Sequence, residues 1–166
     1  MLKKFCTILL LCLISALAFA QTAQKQVLSE KDINGFITNY EHIMDAIDNL
    51  GDKYDYLFEG IDPNGGFESL IKMRSIKVPS EVQDILKKNG LGENGFEKVM
   101  VIIMGTGVIL MEEDLESLTA EAGSDPKIAE YLNQARGGIK TLKDSINSKD
   151  LALITSKKNE LFATLK

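Results

Sequence analysis

The side chains best suited to chemistry in this sequence are three methionines. Met100, Met104 and Met111 stand four and seven residues apart, a spacing that puts them on one face of a helix. Thioethers are soft ligands that suit Cu(I). They also fill irregular gaps in a core, and the stretch around these three is apolar on every side, which denies a metal its route in. Core packing is the expectation. His42 is the single histidine. It stands beside the apolar stripe of the first predicted helix with Glu41 and Asp45 near, which suits a partly exposed surface residue better than a base or a ligand. A zinc site without a second histidine or a cysteine would need carboxylates at nearly every position, so zinc is disfavoured.

Four further stretches invite a chemical reading. Asp62-Pro63-Asn64-Gly65-Gly66-Phe67-Glu68 resembles a calcium loop in composition but lacks oxygen ligands at alternate positions and the glutamate at position twelve. It reads as a turn. Gly105-Thr106-Gly107 follows no strand and lacks the glycine that would complete a phosphate cradle, so it reads as helix-packing glycine. Glu112 and Glu116 could do acid and base work across a cleft, yet an acidic run on a helix is ordinarily a solvated face. Tyr54, Tyr56, Phe58 and Phe67 crowd an irregular segment and are the first place to look for a ligand; the plainer account is a satellite apolar cluster under a long connection. No catalytic residue, metal ligand or cofactor-binding residue is assigned.

The element that positions most of these residues is Phe96 to Leu118, FEKVMVIIMGTGVILMEEDLESL. At 100° per residue, Phe96, Met100, Met104, Gly107, Met111 and Leu118 form one seam. Ile102 and Ile109 lie opposite, and valines and isoleucines fill both flanks. A helix apolar all round must be surrounded by protein or lipid. The run from Val99 to Met111 spans roughly 20 Å at 1.5 Å per residue, short of the roughly 30 Å of a bilayer core, so protein is expected around it. Gly107 in the seam would let a neighbouring helix press close.

Residues 1–20, MLKKFCTILLLCLISALAFA, have the basic start, short apolar core and Ala-Phe-Ala ending of a cleaved signal peptide. Cleavage is expected before Gln21, leaving no transmembrane anchor and placing the protein in the periplasm or outside the cell. Both cysteines, Cys6 and Cys12, fall in the part removed. The mature chain then holds together without disulfides, and thiol chemistry is excluded. Losing Lys3 and Lys4 takes the formal charge from −5 to −7. An acidic surface without a basic stripe is a poor partner for nucleic acid.

Gln21 to Leu28 reads as a flexible lead, and 29–166 as one helical domain. Ser29 with Asp32 suits a helix start, Ile33, Phe36, Ile37, Tyr40, Ile43, Met44, Ile47 and Leu50 give its apolar stripe, and Gly51 its stop. A short helix is expected over 67–74, another from Ser80 as cap to Lys88, and Asn94 could cap the apolar helix (about 95–122) before Gly123 ends it. Asp125-Pro126 opens a helix whose Ile128, Leu132, Ala135, Ile139, Leu142 and Ile146 form a heptad seam; Gly137-Gly138 should kink it or admit a close neighbour. A final helix follows from Ser148, with Leu151, Ile154, Leu161, Phe162 and Leu165 inward. No strand pattern appears. The expected fold is an all-α bundle of about four long helices and two or three short ones wrapped around the apolar helix.

With no nucleophile beside a base, no metal set and no phosphate loop, the expected function is that of a non-enzymatic interaction or accessory module. The alternative is a carrier or sensor of a small apolar ligand held between the apolar helix and the Tyr54–Phe67 segment. A hydrolase acting through carboxylates alone would need two acids facing each other across a cleft.

Overall fold

A computed structural model describes residues 25–51, 77–121 and 126–165. Among them are six α-helices and no strand: α1 Glu30–Asp48, α2 Ser80–Leu86, α3 Gly95–Glu121, α4 Pro126–Asp144, α5 Ser148–Ser156 and α6 Lys158–Thr164. The protein is all-α. Residues 1–20 with their cleavage site, the 62–68 turn, the 67–74 helix, the Tyr54–Phe67 aromatics, Gly123 and Asp125 lie outside the described residues.

α1 begins as its sequence dictates. The Asp32 amide donates to Ser29 Oγ at 3.3 Å and the Ser29 amide returns a bond to Asp32 Oδ2 at 2.8 Å, so two of the orphan donors at the helix start are satisfied reciprocally. Ile33, Phe36, Ile43 and Ile47 are buried. Gly51 follows the helix with φ 76°, a left-handed stop that costs a Cβ-free residue little.

α2 differs at its start. Pro79, at φ −59° and ψ 149°, occupies the cap position without a capping side chain, and Ser80 is the first helical residue. The proline ring already holds the φ that an extended cap residue needs. α2 runs into a π-helical turn, Lys87–Leu91, where Gly90 leaves helical geometry at φ 90°. Asn39 on α1 closes this corner, its Nδ2 donating to the carbonyls of Gly35 (3.0 Å) and Asn89 (3.1 Å). The chain then turns through 70° into α3. Asn94, at φ 58°, precedes that helix, and its carbonyl accepts from the Lys98 amide at 3.2 Å.

α3 touches every other described element. Met100, Val101, Met104 and Val108 are buried, as are Ile102 (0% exposed) and Ile109. The cover ends there. Leu110 and Met111, which the sequence places inside, are 41% and 39% exposed. No single helix among the described residues is long and apolar enough to cross a membrane.

Along α4, Leu132, Ile139 and Leu142 are buried, as is Ile146 just past its end, and Ile128 is exposed, so the heptad seam closes only from Leu132 onward. The helix runs through Gly137 and Gly138 as one element. A Cβ on either glycine would meet nothing within 4 Å, so no neighbour explains them.

The last helix is divided. Asn147 Oδ1 accepts from the Lys149 amide at 2.9 Å to start α5, and Lys157, at φ −113° and ψ 13°, separates α5 from α6. Thr155 and Ser156 hydroxyls donate back to the carbonyls of Leu151 and Leu153, competition of the kind that loosens a helix end. The described residues therefore hold three long and three short helices, an all-α bundle. The residues just before α1 are tied to the bundle. Leu28 is 2% exposed, and the amides of Val27 and Leu28 each donate to the Asp150 carboxylate at 2.9 Å.

Candidate functional site

α3 and α4 form an antiparallel hairpin whose register is read from two contacts. Lys143 Nζ donates to both Glu112 oxygens, at 2.7 and 3.0 Å, and seven residues further along α3, Thr119 Oγ1 accepts from Arg136 Nη2 at 2.9 Å. Between the helices lies a groove of about 550 Å³. Leu115 and Ile139 contribute its apolar lining, Glu112 and Glu116 an acidic wall on α3, and Arg136, Lys140 and Lys143 a basic wall on α4. Glu112 and Lys143 are roughly 40% exposed, so their pair is worth only about 0–1 kcal/mol. It sets register more than stability.

Three large apolar side chains stand exposed on the opposite side of the hairpin. Met111 and Leu118, seven residues apart, project from the edge of α3 away from Glu116, and Tyr131 projects from the edge of α4 away from Arg136 and Lys140, as helical periodicity requires. The large apolar side chains exposed among the described residues are Leu110, Met111, Leu118, Ile128 and Tyr131. All belong to this hairpin. Tyr131 is the most open at 69%.

The methionine seam is split by this geometry. Met100 and Met104 are in the core while Met111 is outside it, so the three thioethers do not share one environment. Gly105-Thr106-Gly107 is helix interior, where the buried Thr106 hydroxyl donates to the Ile102 carbonyl at 2.7 Å. Nothing lies within 4 Å of a Cβ on Gly107; the close approach expected there occurs at Gly105, against Ile154. His42 is exposed on α1. No group of three His, Cys, Asp or Glu among the described residues is placed to hold a metal ion. Glu112 and Glu116 share the α3 wall and face bases, and Glu113 accepts from Lys158 at 2.5 Å.

Two buried carboxylates carry more of the architecture than their sequence positions reveal. Asp32 accepts from Ser29 and, at 2.7 Å, from Lys98 Nζ, which also donates to the Leu91 carbonyl at 2.7 Å. Burial pushes the Asp32 carboxyl upward, but the bonds from Lys98 and Ser29 outweigh it and hold the group below its usual range. Asp150, 1% exposed, takes its two donors from a segment more than 120 residues away. The sequence signals only a first-turn acid in each case, Asp32 through its capping box and Asp150 through its place after Asn147.

The fold and this surface define a class: an all-α bundle with a hairpin that carries a charged groove and several exposed apolar side chains. No family model, no curated protein and no solved structure matches the chain.

Proposed function

We propose that this is an exported, non-enzymatic interaction module that engages a protein partner through the α3–α4 hairpin. The observation that carries this reading is the gathering of Leu110, Met111, Leu118, Ile128 and Tyr131, the exposed large apolar side chains among the described residues, on one hairpin. Large apolar side chains left exposed on one element mark interaction surfaces, and methionine and tyrosine are enriched where partners meet. Export rests on residues 1–20 and their Ala-Phe-Ala ending.

The test is native mass spectrometry of the protein recovered from its own source, beside a variant carrying Met111→Ser, Leu118→Ser and Tyr131→Ser. The expected result is a partner mass on the unaltered protein that is absent from the variant, with helicity and Tm unchanged. Identical spectra for the two would refute the reading. The mature chain recovered outside the cytoplasm should begin at Gln21.

A further inference from the structure

The corner between α1, α2 and α3 holds a second cavity, away from the hairpin. α1 and the π turn are brought together at Gly35, whose added Cβ would lie 3.7 Å from the Gly90 carbonyl oxygen, and at Asn39, which bonds across to Asn89. α3 then leaves α2 at 70°. A wedge remains between those two helices, closed on its third side by α1. It encloses about 120 Å³, with Phe36, Val82, Leu86 and Phe96 deep inside and the half-buried Tyr40, Met44, Val99 and Ile103 nearer the mouth.

We infer that this wedge is a binding site for a small uncharged apolar molecule, no larger than about a monocyclic aromatic. The side chains lining it, among the described residues, are hydrocarbon, aromatic or thioether, and the Tyr40 hydroxyl is their one hydrogen-bonding group. An ion or strongly polar molecule would lose its hydration there and recover nothing. Water in such an apolar wedge finds few hydrogen-bond partners, and the walls lack dispersion partners on the open side. A molecule that fits restores those contacts, as benzene and xenon do in apolar cavities of about 150 Å³. The volume excludes an acyl chain or a drug-sized ligand, which need roughly 300 Å³ or more. The flexible Met44 at the mouth gives way most easily as the ligand enters.

The experiment is a titration of the full chain, methyl-labelled at Ile, Val and Met, with toluene and separately with benzoate, which has a similar ring and a charge. The expected result is saturable shifts at Ile43, Ile47, Val82, Val99 and Ile103 with toluene, none at Ile154, and no such response to benzoate. Val99→Phe, which fills the wedge, should abolish the shifts, and the serine variant of the hairpin should keep them. Shifts that grow linearly to the solubility limit of toluene, or that benzoate reproduces, would overturn the inference. This comparison on the unaltered chain decides the matter even where Val99→Phe does not fold.

Discussion

Ile154 on α5 occupies the space that a side chain at position 105 would need: a Cβ built on Gly105 would lie 2.4 Å from Ile154 Cδ1. Both residues are buried, so α5 and α3 meet at a contact only glycine permits. Gly105→Ala gains helix propensity of about 1 kcal/mol but overpacks the contact at a cost of about 1–3 kcal/mol, and is expected to lower stability. Gly107→Ala, with nothing within 4 Å, is expected to raise it. Denaturant midpoints of the two variants check the pair. Adding Ile154→Val, which removes the offending Cδ1, should recover most of the loss in the Gly105→Ala background.

Asp32 makes the bundle acid-sensitive. Its folded pKa lies below the ordinary 3.8, so the unfolded chain binds this proton more readily. The contribution is complete above that ordinary value and is lost as pH falls through the folded one. Denaturation at pH 7 and pH 3 should show a loss that is smaller in Asp32→Asn. At pH 7 that substitution should cost about 1–3 kcal/mol, because Lys98, largely shielded from water, keeps its charge and loses its partner.

Asp150 ties the first described residues to α5. Asp150→Ala leaves the Val27 and Leu28 amides without their acceptor, each a buried or half-buried donor, at about 1–3 kcal/mol apiece. Hydrogen exchange at these two amides should accelerate before that of Ile33 and Phe36. Asp150→Asn, which retains one acceptor oxygen, should fall between the variant and the unaltered chain.

Gly137 and Gly138 weaken α4 without a packing reason, since a Cβ on either meets open space. Gly137→Ala and Gly138→Ala should each stabilise by about 0.5–1 kcal/mol, visible as an upward shift in Tm. Loss of stability in either would show that the added methyl group meets a neighbour within the chain and would overturn this reading.

Much of the fold was legible in local chemistry. The Ser29–Asp32 capping box, the stop at Gly51, the corner at Gly90 and the apolar stripes of α1 and α4 follow from short-range rules, because caps, turns and helical periodicity involve residues within a few positions of one another. The hairpin surface was less legible. Periodicity put Met111 in line with Met100 and Met104, and the acids after it signalled a return to solvent, but which turn of the helix first emerges depends on where the surrounding helices end.

By itself the sequence determined that the chain is helical, where most of the helices begin and stop, and which residues share a face on each. Only the tertiary structure decided that Gly105 rather than Gly107 meets a neighbour, that Met111 stands outside the core, and that Asp150 holds Val27 and Leu28. The physical reason is common to all three. A period of 3.6 residues assigns side chains to faces, whereas the covering of a face is set by the position of another helix, and contacts between residues 49 or more than 120 positions apart leave no mark in either local pattern.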